Sequence, residues 1–274
     1  MGELNAVLPW FAGIAGLIIG SFLNVCIYRI PRDMSIVTPR SFCPECGRPI
    51  PWFDNVPLLS FILLRGHCRN CSRRISWRYP AVELTTAILF GLLAAKFGPS
   101  LLALKWMFFE CLLIVLFWTD LEERILPDEL TLGGIAAGLA WALLTGVPSA
   151  FGALLLPNSS ARWQSLISAL LSAVLCTSVL WLVGFVYKLI RRREVLGLGD
   201  VKLLPMLGVF LGVENGVLAL LIGSVTGSIL GLSYIVWRKK NPSSYELPLG
   251  SFLCFGAALV PLVASKFSTP LGVP

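Results

Sequence analysis

Apolar residues run along this chain in long blocks rather than in alternation, at about residues 7–27, 80–97, 101–118, 130–147, 165–187, 203–213, 216–236 and 247–267. Blocks of this kind predict helices, and most approach the roughly 20 residues that span a bilayer core. Residues 203–213 are the exception. A run that short is tilted, thins the bilayer or is re-entrant, and a re-entrant run changes the topology by one crossing. The polar stretch 29–79 breaks the pattern and holds a single sustained apolar run, PLLSFILL. The expected fold is therefore an all-α polytopic membrane protein with about eight transmembrane helices and a small insert. Its expected organisation is a first helix (1–28), the insert (29–79) and a seven-helix membrane domain (80–274).

Composition agrees with that pattern. Hydrophobic residues make up 56% of the 274, charged residues 14%, and mean hydropathy is +0.81, which excludes an ordinary soluble domain. The first run lacks a basic leading region, carries Glu3 and ends in CIYRIPR, so it is expected to be a retained helix rather than a signal peptide. No internal repeat or long linker is evident.

A net charge of +7 suggests nucleic acid until the cations are placed. With eight crossings, 18 of the 22 Lys and Arg fall in loops 29–79, 119–129, 188–202 and 238–246, all on one side. Lys96, Lys105, Arg162 and Lys266 fall on the other. That bias orients those four loops to the cytoplasm and makes the bilayer, not nucleic acid, the partner.

The insert carries Cys43 and Cys46 in FCPECGRPI, then Cys68 and Cys71 in GHCRNCSRRISWRYP. Two C-x2-C pairs 21 residues apart provide four thiolates for a tetrahedral zinc ion, and Pro44 and Gly47 suit the turns. Metal binding would supply the folding free energy that so small an insert lacks. The competing reading is disulfides or redox-active pairs, which a reducing cytoplasm disfavours. His67 is read as a surface residue beside a filled shell. Cys26, Cys111, Cys176 and Cys254 lie in apolar runs and read as small core residues.

Two aspartates stand at the ends of apolar runs on the same predicted side: Asp120 in LLIVLFWTDLEERILPDELTL and Asp200 in VLGLGDVKLLPML. A carboxylate beside lipid is costly unless it is solvated, paired or functional. Two brought within a few ångströms share a proton. One then takes a proton from attacking water while the other polarises a peptide carbonyl. Gly197 and Gly199 would let the backbone bend and a substrate strand approach, a helix start would favour charge on Asp200, and Lys202 would pair with a carboxylate or snorkel. Asp128, Glu122, Glu123 and Glu129 read as solvated loop acids. Glu83 lies near the cytoplasmic edge, and Glu110 is about 15 Å along a helix from Asp120, too far to join that pair.

These residues sit in a series of motifs in order: GSFLNVCIYRIP (20–31), the cysteine pairs, RYPAVEL (78–84), TDLEERILPDEL (119–130, including Pro127 and Asp128), GLGDVKLL (197–204) and LPLGSFL (247–253). In that combination the chain resembles the type IV prepilin peptidases, a bifunctional leader peptidase and N-methyltransferase family. The resemblance implies cleavage of the basic leader of type IV prepilins and type II secretion pseudopilins at the cytoplasmic face of the bacterial inner membrane. It also implies methylation of the new N-terminus from S-adenosylmethionine. The family's two catalytic aspartates match Asp120 and Asp200, and its cysteine pairs match Cys43, Cys46, Cys68 and Cys71. Where family members often read P-F-G-P in the last span, this chain has Pro248, Leu249, Gly250 and Ser251. There is no glycine-rich Rossmann turn, so a donor site would be built from the insert and neighbouring helix ends, including Arg78 and Glu83. The prepilin leader's positive charge would be drawn to Asp128, Glu122 and Glu123.

Other readings are a presenilin-like intramembrane protease, whose P-A-L motif is absent, a proton-coupled transporter, and a thiol oxidoreductase, which needs its C-x2-C on the oxidising side.

Overall fold

The computed structural model describes residues 2–147, 154–155, 158–191, 197–238 and 248–264. The expected loop cations Arg192, Arg193, Lys239 and Lys240, together with Lys266, lie outside them. The described helices are α1 (Gly2–Arg29), a short α2 (Leu59–Leu63), α3 (Arg78–Phe97), α4 (Leu101–Glu123), α5 (Asp128–Thr145), α6 (Ala161–Arg191), α7 (Leu198–Arg238) and α8 (Leu249–Val263). Among the described residues there is no β-strand, only two isolated bridges in the insert.

Five helices are long and apolar enough to cross a membrane: Ala6–Arg32, Arg78–Phe97, Leu101–Glu123, Ala161–Ile190 and Gly199–Tyr234, with Leu249–Val263 apolar but shorter. The chain is a multi-pass membrane protein. The runs 203–213 and 216–236 both fall on α7, which is broken at Gly212 (φ 77°, ψ 172°), a backbone conformation open to glycine. The short run has a physical explanation. Leu203, Leu204, Met206, Leu207, Val209, Phe210 and Leu211 are each at most 1% exposed, so this half-helix is core on every side. Beyond Gly212 the character changes, and Val225, Ile229, Leu230 and Leu232 are all more than half exposed.

The chain divides into two compact units, 1–115 and 116–274, with α4 running from the first into the second. In the first unit α1 packs on α3 through small residues. A Cβ on Gly16 would lie 2.7 Å from Ala87 Cα, and one on Gly20 would lie 2.8 Å from Glu83 Cα. Lipid tails are as apolar as leucine, so helices in a bilayer associate by such close backbone approach and by hydrogen bonds. Asn24 supplies one, donating Nδ2–H to the Tyr79 carbonyl at 3.1 Å. In the second unit α5, α6 and α8 all pack against α7. Ser165 of α6 donates to the Ala142 carbonyl at 2.7 Å, beside the buried cluster of Ala142, Ala169 and Val209.

Candidate active site and metal centre

The four insert cysteines come together. Their Sγ atoms all lie within 4.8 Å of one another, and Cys43 Sγ and Cys71 Sγ are 3.9 Å apart. A tetrahedral zinc with Zn–S bonds of about 2.3 Å requires sulfur–sulfur edges of roughly 3.8 Å, so the donor set fits that ion. Both cysteine pairs use the same turn. Cys43 N–H donates to Arg48 O at 3.0 Å and Gly47 N–H to Cys43 O at 2.8 Å; Cys68 N–H donates to Arg73 O at 2.8 Å and Ser72 N–H to Cys68 O at 2.9 Å. Gly47 (φ 68°) and Ser72 (φ 55°) close the two turns from the left-handed region. The segments FCPECGRP and HCRNCSRR are thus a structural repeat that their letters barely disclose. The backbone N–H groups of Cys71 and Asn70 pull the Cys68 thiol down to about 7. Against the pull of the Arg73 N–H, burial and the neighbouring sulfurs push the Cys71 thiol up to about 11, so the two share their protons.

Other contacts brace the insert. Arg29, only 3% exposed, donates to the carbonyls of Ser35, Pro39 and Arg40 and so ties the end of α1 to the polar chain that follows. Arg69 makes a bidentate pair with Asp54, both contacts 2.7 Å, which holds the Asp54 carboxyl below its usual range. His67 is exposed and its Nδ1 meets the Arg65 carbonyl, as expected of a surface residue. Glu83 accepts the Leu58 N–H at 2.8 Å, where Leu58 takes a positive φ of 57°. The Arg78 guanidinium lies 4.9 Å from the Tyr79 ring centre. Glu110 is fully buried on α4, and neither carboxyl oxygen has a hydrogen-bond partner among the described residues.

In the second unit Asp120 ends the buried part of α4 and Asp200 lies in the first turn of α7. The two carboxyl groups are close enough for the charge of Asp120 to act on Asp200. The packing between them is specific. The Leu126 side chain lies 3.2 Å from where a Gly199 Cβ would be and 2.9 Å from where a Gly250 Cβ would be, while Asp120 Cγ is 3.2 Å from that same Gly250 position. Gly199 therefore sits inside a helix turn, and its missing side chain makes room for Leu126 rather than for a bend. Pro127 caps α5 and its carbonyl accepts the N–H groups of Leu130 and Thr131, which fixes Leu126 just ahead of it. Asp200 accepts the N–H of Gly197, the residue before its helix, so this acid at the third position reaches back to the cap.

Asp120 is held from the other side. Its Oδ2 accepts the Ser251 N–H at 2.6 Å and the Ser251 hydroxyl at 2.8 Å, and the same hydroxyl lies 3.0 Å from the Phe117 carbonyl. Lys202 resolves as a partner of Asp128, at 2.7 and 2.8 Å, a pair that leaves Asp128 less free to receive a basic leader. Sequence reasoning missed Leu126, Gly250 and Ser251 as contributors to the site. Leu126 lies in the Asp120 motif, whereas Gly250 and Ser251 lie in LPLGSFL, where family members often read P-F-G-P, a motif that the sequence did not tie to Asp120.

Helices long and apolar enough to cross a bilayer, with two acids at helix ends and a cluster of four cysteines able to hold a metal ion, mark a polytopic membrane protein. Two family models match the chain: "Bacterial Peptidase A24 N-terminal domain" over residues 14–97 and "Type IV leader peptidase family" over residues 107–232. Among its relatives, "Prepilin leader peptidase/N-methyltransferase" of Aeromonas hydrophila is 34% identical, covering 92% of this chain and 90% of that protein. Proteins of the same name from Burkholderia pseudomallei (strain 1026b), 34% identical over 96% and 87%, and Neisseria gonorrhoeae, 35% identical over 88% and 88%, are similar to it as well. No solved structure matches. The chain belongs to the type IV leader peptidase family. It is a peptidase with methyltransferase activity.

Proposed function

We propose that Asp120 and Asp200 are the catalytic pair of an aspartic endopeptidase that removes the basic leader of type IV prepilins and pseudopilins. The observation that carries this reading is the packing of Leu126 against Gly199 and Gly250, with Asp120 beside Gly250 and Asp200 near enough to feel the charge of Asp120. A water molecule held between two such groups loses a proton to one as it attacks the peptide carbonyl, while the other polarises the carbonyl oxygen. A prepilin is a membrane helix with a short basic leader, so its scissile bond lies at the interface where apolar helices give way to polar loops. The charge bias of those loops supports a cytoplasmic position for the pair and an inner-membrane location.

The 29–79 insert acts as a cytoplasmic domain held by zinc through Cys43, Cys46, Cys68 and Cys71, whose sulfur spacing suits that ion. There the metal supplies folding free energy, and the thiolates, together with Arg29 and the Arg69–Asp54 pair, hold the chain. The relatives' methyltransferase name implies S-adenosylmethionine as donor. Arg78 and Glu83, the sequence candidates for holding it, do not form a ready cradle. Glu83 is engaged by the Leu58 N–H and Arg78 lies over Tyr79, so no step is assigned to them. The test is incubation of purified protein with a prepilin and S-adenosylmethionine, followed by mass measurement. Loss of the leader plus one methyl group supports the reading; persistence of cleavage in Asp120→Asn or Asp200→Asn rejects the pair.

A further inference from the structure

Ser251 stands at the third position of α8, where the backbone N–H has no partner within its own helix. It directs that N–H, and a hydroxyl on a residue only 1% exposed, at one oxygen of Asp120. We propose that Ser251 is a positioning residue that holds Asp120 as the charged, proton-accepting member of the pair and thereby makes Asp200 the proton donor. The proposal rests on the proposed pairing of Asp120 with Asp200 and adds a division of labour.

The geometry is asymmetric. A backbone N–H can only donate, so Asp120 Oδ2 must accept at 2.6 Å and is a poor place for a proton. Hydrogen bonds to a carboxylate favour its charged form, and the start of a helix favours negative charge further. Asp200 receives, among the described residues, a backbone donor from Gly197. Among the described residues, α7 brings Asp200 and Lys202, the start of α5 brings Asp128 and Glu129, and the chain next to Asp120 carries Glu122, Glu123 and Arg124. Lys202 is held by Asp128, and α8 has no charged side chain.

With those roles the reaction balances. Water gives a proton to Asp120 Oδ1 as its oxygen bonds to the scissile carbonyl carbon, and Asp200 gives its proton to the carbonyl oxygen, leaving a neutral gem-diol. On collapse the C–N bond breaks. Asp120 passes its proton to the departing nitrogen, and a diol hydroxyl returns one to Asp200, restoring both groups.

The experiment is the pH dependence of kcat/KM for prepilin cleavage in wild type, Ser251→Ala and Ser251→Thr, with thermal melting to monitor folding. Loss of the hydroxyl weakens every state in which Asp120 is charged. With Asp120 as the base, this moves only the first deprotonation of the pair. The acid limb then shifts about one pH unit toward neutral, the value of one hydrogen bond to a charged group, and the basic limb stays put. Ser251→Thr, which keeps the hydroxyl, restores the wild-type profile. Movement of the basic limb instead would show that Asp120 is the acid and overturn the assignment. An unmoved profile in a folded Ser251→Ala overturns the positioning role. Cleavage by Asp120→Asn sinks the underlying pairing, a result distinguishable from both.

Discussion

Replacement of Gly250 by alanine is the sharpest small perturbation of this site. The new Cβ would lie 2.9 Å from Leu126 Cδ1 and 3.2 Å from both Asp120 Cγ and Oδ2. Leu126 can turn aside, but Asp120 Oδ2 is already fixed by two donors from Ser251 and has little room to retreat. One methyl forced into a packed site costs about 1–3 kcal/mol. If the strain falls on the orientation of Asp120, kcat drops by roughly 5- to 150-fold. Gly133→Ala is the matched control, since nothing lies within 4 Å of its new methyl and alanine is the better helix former by about 1 kcal/mol. Steady-state cleavage of a purified prepilin, alongside thermal melting in detergent, reads both effects. A Gly250→Ala protein that melts and cleaves like wild type would refute the packing argument.

Metal analysis of the purified protein should give one zinc per chain. Cys43→Ser or a strong chelator should remove it and leave the 29–79 segment open to proteolysis, whereas retained protection would show that the insert folds without metal. Gly20→Leu places a side chain against Glu83 Cα 2.8 Å from the first added carbon, so α1 and α3 must separate; destabilisation of at least 1–3 kcal/mol is expected, seen as a lower melting temperature. Glu110→Leu removes a buried carboxyl that has no hydrogen-bond partner among the described residues. It should leave stability equal to wild type or raise it by about 1–3 kcal/mol, and a marked drop in melting temperature would reveal a partner for that group.

Much of this molecule was legible along the chain. Long apolar runs can satisfy their backbone groups in lipid only as helices, so the all-helical membrane fold followed from local composition. The four-cysteine cluster was legible because C-x2-C spacing is itself a short-range geometric constraint. Asp120 and Asp200 were conspicuous because charge is costly among apolar residues. Their environment was not conspicuous. Ser251 is an ordinary small polar residue 131 positions from Asp120, and only the packing of α8 against its neighbours aims its N–H and hydroxyl at Oδ2. The same limit applies to 203–213, whose shortness read as a topological puzzle until burial on every side showed it to be core. Local pattern decides which segments become helices and which residues carry chemistry. The partner across a helix interface depends on close contacts between residues far apart in the chain, and these arise only when the helices pack.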